Sequence, residues 1–176
     1  MSERQEFKVL RTYEDFELRQ YLPCVIAEVK VSAQYSNATN SAFSLLFNYI
    51  AEGNEASEKI AMTAPVITTQ RADSSEPTEW HVSFVMPSGR TFGHLPHPND
   101  SKVILRELDT ETCVAKSFRG RATDQLSRKI VKELRAGASK ANIALSNETR
   151  ICRFDPPFKP SFLQYNEVVI PLFKSY

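Results

Sequence analysis

The stretch KIAMTAPV, residues 59–66, decides how this chain is read. Ile60, Met62, Ala64 and Val66 alternate with Ala61, Thr63 and Pro65, the period-two pattern of a strand with one face on a core. Pro65 has no N–H to give a ladder, so it belongs at a strand end, an edge or a bulge. The pattern predicts a strand over 59–66 that stops pairing where its sheet bends or opens.

Before this stretch lie two extended runs, 16–22 and 24–33, with a turn at Pro23. In the second run Val25, Ala27, Val29, Val31 and Ala33 share one face, while Glu28, Lys30 and Ser32 share the other, as in a half-buried antiparallel strand. The polar QYSNATN supplies N-cap candidates for a helix over 41–52, where Phe43, Leu46, Phe47 and Ile50 recur at helical spacing and Gly53 marks the stop. After KIAMTAPV and a polar loop, EWHVSFVMP places Trp80, Val82, Phe84 and Met86 on one face.

The second half repeats the order. VILRELD and TCVAKSFRG are extended; Thr123 caps a helix with Leu126, Ile130 and Leu134 as its apolar stripe; RICRFDPPF and NEVVIPLF are again strand-like. Arg19 and Arg106 fall in similar places, and the third strand of each half meets proline, at Pro65 and at Pro156–Pro157. Each half thus reads β-β-α-β-β, with one sheet face left bare. Two copies complete each other's core, which predicts an α+β fold: two pseudo-symmetric repeats, about 7–90 and 103–176, forming a distorted antiparallel β-barrel with two flanking helices in a single domain spanning 1–176.

Composition sets bounds on function. The chain has 176 residues, enough for one domain with a true core. Hydrophobic residues make up 41% and charged residues 24%, the mix of an ordinary globular protein. A formal net charge of +1 gives no long-range field for nucleic acid. No apolar run is long enough for a membrane span, and the charged N-terminus does not read as a signal peptide, so a cytoplasmic location is expected. Cys24, Cys113 and Cys152 form no disulfide or metal-ligand pattern and read as buried free thiols.

Several stretches together resemble the SOUL haem-binding protein family. They are YEDFELRQY (13–21), FNYIAEGN (47–54) with KIAMTAPV, VSFVMPS (82–88), LPHPND (95–100) with VILRE (103–107), and FDPPFKP (154–160) with NEVVIPL (166–172), in the family's order and over nearly the whole chain. The resemblance implies the same barrel-like fold of two related halves, similar also to the effector-binding modules of bacterial transcription regulators. For function it implies binding of haem or another tetrapyrrole, without catalysis.

A haem site needs an apolar slot, cations for the propionates and usually an axial ligand. Some family members carry histidine between the arginine and tyrosine of ELRQY; here the position is Gln20, a poor iron ligand, but one that shares parity with Phe16 and Leu18 and so is expected to face the apolar pocket. His81 falls on the more polar face of its strand, and His94 and His97 sit in a Pro-rich loop, each reading as a solvated or hydrogen-bonded imidazole, so no metal site is expected. The resemblance makes the first helix a pocket wall, with Phe43, Leu46, Phe47 and Ile50 as its surface and Met62 nearby; the same stripe would equally well pack a helix on its sheet. That helix brings no Lys or Arg, so Lys59, Arg90, Arg121 or Lys159 would have to reach in. Binding driven by apolar contact, without histidine ligation, is the expectation.

Two other classes stay open. One is a small-molecule effector module in which Glu167 pairs a cationic ligand and Tyr165 stacks on it, against the alternative of an exposed strand-end carboxylate. The other is a protein-interaction domain using Phe47 or the loop at 87–100, with Leu95. An enzyme is not expected: there is no G-x-S-x-G, no H-E-x-x-H and no phosphate-cradling glycine loop.

Overall fold

The computed structural model describes residues 2–32, 35–71 and 79–175. Eleven strands and two α-helices follow in the order β1 (Glu3–Arg4), β2 (Phe7–Thr12), β3 (Glu17–Tyr21), β4 (Cys24–Ser32), α1 (Tyr35–Ile50), β5 (Thr63–Ala64), β6 (Val66–Arg71), β7 (Glu79–Val85), β8 (Ile104–Leu108), β9 (Glu111–Arg119), α2 (Asp124–Lys140), β10 (Glu148–Arg153) and β11 (Tyr165–Pro171). Ala33 of the predicted strand 24–33, Gln34 of QYSNATN and the polar loop within 72–78 lie outside the described residues.

Nine strands form one antiparallel sheet in the order β2-β3-β9-β11-β10-β6-β7-β4-β8, curled into an open half-barrel. With β2 set aside, this order is a palindrome. The halves meet at β6 and β10, where Ile67 lies opposite Cys152. The first strands are exchanged: β3 of the first half pairs with β9, and β8 of the second half pairs with β4. The two pseudo-symmetric β-β-α-β-β repeats are therefore present and interlocked. The predicted barrel does not close, because β2 and β8 are free edges of the main sheet.

Both helices pack on one face of the sheet, α1 on β4 and β7, α2 on β9 and β11. Val25, Ala27, Val29, Val82 and Phe84 meet α1, as their alternation requires. Val114, Val168 and Ile170 meet Ile130 and Leu134 of α2. Thr123 caps α2 as expected, its hydroxyl accepting from the Leu126 N–H at 3.2 Å. The opposite face carries a third cluster with Tyr21, Ile26, Ile67, Val85, Cys113, Cys152 and Val169.

KIAMTAPV is not one strand. Thr63 and Ala64 pair in parallel with Glu3 and Arg4 in a separate two-stranded ribbon, a cis Ala64–Pro65 peptide follows, and only from Val66 does the chain enter the main sheet. Pro65 thus precedes the third strand of its half, whereas Pro156–Pro157 follow β10, so the two proline sites are not equivalent. Missing its N–H, Pro65 falls where the chain changes ribbons and no ladder bond is needed. The segment 67–71, read as the start of a polar loop, is strand: Thr68 and Thr69 are buried between β10 and β7.

Helix α1 differs from the expectation in two ways. It starts at Tyr35 rather than residue 41. Its buried stripe is Thr39, Ala42, Leu46, Tyr49 and Ile50, so Phe43 and Phe47 are turned outward. Tyr49 fixes this rotation, its hydroxyl donating to the Pro96 carbonyl at 2.8 Å. The left-handed residue past the helix is Glu52 (φ 90°) rather than Gly53. Gly53 is required for proximity instead: its N–H donates to the Asn48 carbonyl at 2.9 Å, and a Cβ there would lie 2.5 Å from the same oxygen.

Candidate functional site

On the helix-bearing face, α1 presents an apolar surface that its own core does not use. Phe43 is 37% and Phe47 50% exposed. Being four residues apart, they lie one above the other on the helix. Their rings stack at 6.0 Å with an interplanar angle of 13°, and Phe43 also meets Phe84 of β7 edge-on at 5.3 Å. Leu46 and Ile50 are buried in the core beneath, and half-buried Met62 packs against that core. Of the residues predicted on the first helix, then, Phe43 and Phe47 form a surface, while Leu46 and Ile50 support it.

Gln20 does not join them. Its strand β3 is five strands from β7, and Leu18, on the same face of β3, packs with the α2 core. Leu95 is also withdrawn, being buried with Tyr49 and Ile50, so it is no surface for a partner. Of the cations proposed to reach in, Arg90 pairs with Glu58 and Lys159 pairs with Asp155 at 3.0 Å, while Lys59 is exposed and its backbone bridges Ala51 just past the end of α1. A cation missed in the sequence is Arg153, half-buried on β10. It lies opposite Val66, which itself lies opposite Phe84, so Arg153 stands two strand spacings, about 10 Å, from the residue under Phe43. The periodicity of RICRF marks it as sharing a face with Ile151, but not what lies across the sheet.

Two of the three histidines are engaged with other side chains. His81 lies between the carboxylates of Glu28 at 3.2 Å and Glu79 at 3.4 Å, on the opposite face of the sheet. His94 is hydrogen-bonded to the Thr91 hydroxyl. The thiols are no better placed: Cys24 is half-buried rather than buried as expected, and burial raises it and pushes Cys113 up to about 12, far from the thiolate an iron ligand requires. Among the described residues no group of three or more His, Cys, Asp or Glu is placed to hold a metal ion.

The opposite face holds a buried charged cluster. Glu167 is not an exposed strand-end carboxylate; it is 4% exposed. Arg19, 5% exposed, grips it with both terminal nitrogens, at 2.9 and 2.8 Å. The same guanidinium donates to Glu17 at 2.8 Å and to the Tyr21 hydroxyl at 3.0 Å, and it lies 4.0 Å from the centre of the Phe7 ring. Tyr165 does sit beside Glu167, but as a hydrogen-bond donor at 2.7 Å; the ring itself lies under Arg119. Arg19 was missed as Glu167's partner because the exchange of β3 brings it from 148 positions away. The other half has a related arrangement with roles reversed. There Glu28 lies opposite Ser83 and binds Arg106 from the exchanged strand β8, whereas Glu167 lies opposite Ser117 and binds Arg19 from β3. Register thus places both arginines against a glutamate of the other repeat.

This cluster governs tyrosine ionisation. Burial, then the bond to Glu167, pushes Tyr165 up to about 12, and burial raises Tyr21 as well. A phenol whose folded pKa exceeds its unfolded value of about 10 stabilises the fold fully below pH 10 and stops doing so as pH rises through the folded value. Burial likewise pushes Tyr49 of α1 up to about 12, so alkaline titration followed by tyrosinate absorbance is expected to show three tyrosines ionising only together with loss of the fold. Six tyrosines ionising in one transition near pH 10 would contradict the cluster.

The sequence matches the SOUL haem-binding protein family over residues 2–171. It is 31% identical over 113 residues to human heme-binding protein 2; the match covers 62% of this chain and 55% of that protein, so it spans about half the length of the curated relative. Among solved structures, the C-terminal domain of EcmrR superposes with a TM-score of 0.71 at 14% identity, covering 96% of this chain and 99% of that one. A hydrolase from Listeria innocua superposes with a TM-score of 0.63 at 11% identity, covering 93% and 94%. A protein solved with tetraphenylphosphonium superposes with a TM-score of 0.52 at 10% identity, covering 90% and 94%. At these identities the structural likenesses establish a shared fold, while the family match runs almost from end to end: the chain belongs to the SOUL haem-binding protein family.

Proposed function

We propose that this chain binds haem or a related tetrapyrrole by apolar contact on the outer face of α1, as a carrier, buffer or sensor, with no histidine ligand and no reaction catalysed. The observation that carries this reading is the stacked, outward-facing pair Phe43 and Phe47, seated on Phe84. A helix needs one apolar stripe to pack, and α1 already has one in Ala42, Leu46, Tyr49 and Ile50. The second, aromatic stripe is available to a flat apolar ring, and Arg153, two strands from Phe84 on the same sheet face, and Lys59, beside the end of α1, are cations for its propionates. Family membership and the name of the human relative point to the same ligand.

A cationic effector on the opposite face is the weaker reading. One neighbour was solved with a lipophilic cation, but here the carboxylate such a cation would need is held by Arg19.

Titration with haemin, followed in the Soret band, tests the proposal. Two phenylalanines contribute about 1.5–3 kcal/mol each when fully covered. Replacing both by serine is expected to weaken binding at least tenfold, whereas His81→Ala, His94→Ala and His97→Ala combined leave it within twofold. Wild-type affinity in the Phe43→Ser/Phe47→Ser variant, with its fold intact, would refute the site. Loss of binding in the triple-histidine variant would refute the ligation-free mode.

A further inference from the structure

A pocket of about 360 Å³ lies on the helix-bearing face, between α2 and the central strands β6 and β10, with Trp80, Val131 and Ile151 as apolar lining. That volume is at the low end of the range for small-ligand sites. The phenylalanine pair is separate from it: Phe84, under Phe43, is four residues from Trp80 along β7, about 13 Å at strand rise.

Three features of the α2 wall concern charge. Ser127 lines the pocket, and its buried hydroxyl has no hydrogen-bond partner among the described residues. Buried polar groups normally find partners, so an orphaned hydroxyl on a pocket wall marks a place for an absent acceptor or donor. Arg135 is half-buried and held in place by its bonds to the Ser146 carbonyl and the Thr149 hydroxyl, both at 3.1 Å, with no ion pair among the described residues. Burial lowers its pKa, which is what a cation lacking a counter-ion shows. Lys132 follows one turn before Arg135 and also has no ion pair among the described residues. Arg128 and Asp124 also line the pocket, and they neutralise each other at 3.0 Å. Two unneutralised cations and an unbonded hydroxyl thus border an aromatic crevice.

The geometry points to a second ligand site here, for a small flat apolar molecule bearing one carboxylate. The ring lies against Trp80 and Ile151, and the carboxylate accepts from Ser127 and pairs with Lys132 and Arg135. This site goes beyond the haem reading and does not depend on it.

Trp80 is the only tryptophan in the chain, so its indole N–H resonance reports on the pocket directly. Naphthalene-2-carboxylate is expected to shift that resonance saturably, and the neutral analogue naphthalene-2-methanol to bind at least tenfold more weakly. Lys132→Gln, at an exposed position, is expected to weaken the carboxylate about tenfold, and Ser127→Ala to weaken it severalfold while the fold is kept. The Phe43→Ser/Phe47→Ser variant is expected to bind it with wild-type affinity even as haemin binding falls. No saturable shift, equal affinity for acid and alcohol, indifference to Lys132→Gln, or joint loss in the phenylalanine variant would each overturn the assignment. The last outcome would show that the two surfaces are one.

Discussion

Replacing Arg19 with methionine is expected to cost about 3–5 kcal/mol of folding stability, because it leaves the buried carboxylate of Glu167 without its counter-ion. Both groups are almost fully enclosed, and the pair is bidentate, so solvent cannot take over the lost role. Tyr165 alone would still donate to Glu167. Glu17 and the Tyr21 hydroxyl would also lose their donor. The loss should come from stranding a charge rather than from forfeiting an attraction, since a buried ion pair repays little more than its own desolvation. The double replacement Arg19→Met/Glu167→Leu is therefore expected to be more stable than Arg19→Met alone. Urea unfolding at neutral pH measures both. A single variant within 1 kcal/mol of wild type, or a double variant less stable than the single, would show that the cluster is more hydrated than its geometry indicates.

The next largest contrast lies within one turn of α1. Leu46→Ala is expected to lose about 2–5 kcal/mol, the range for emptying a fully enclosed leucine site. Its side chain is buried among Val29, Val82 and Phe84, and the sheet beneath cannot follow it inward. Phe47→Ala, one residue on, removes a larger side chain from a half-exposed position and is expected to change stability by about 1 kcal/mol or less, since surface truncations seldom exceed that. Haemin affinity should rank the two oppositely: Phe47→Ala weakens it, and Leu46→Ala does not while the protein remains folded. Thermal unfolding and Soret titration on the same pair of proteins would separate packing from binding. Equal destabilisation by the two would mean that Phe47 belongs to the core.

Much of the fold was legible in the sequence because its strands alternate cleanly. Val25, Ala27 and Val29, or Trp80, Val82 and Phe84, can face only one way if the core is to be dry. The α2 helix was equally plain, with a Thr cap and a single stripe. The α1 helix was less so because it has apolar residues on more than one side. Periodicity gave Phe43, Leu46, Phe47 and Ile50 as a face, but the bond from Tyr49 to the Pro96 carbonyl comes from a loop 47 residues downstream and rotates the helix away from that choice. The same limit hid the partner of Glu167. A lone glutamate between apolar neighbours signals either exposure or a buried counter-ion, and the counter-ion was supplied by a strand from the far end of the chain. The strand 66–71 was lost to its threonines, which read as loop until β10 and β7 close over them.

The exchange of β3 and β8 has a consequence for how this chain can be cut. Every border between the repeats — β3 against β9, β4 against β8, β6 against β10 — is a run of main-chain hydrogen bonds, reinforced by the Arg19–Glu167 and Arg106–Glu28 pairs. A protease nick at the exposed Ser101–Lys102 turn would therefore leave two pieces zipped together along three seams. Expressed alone, each piece would keep an orphaned edge that only its counterpart fits, making the duplicated halves natural fragments for complementation.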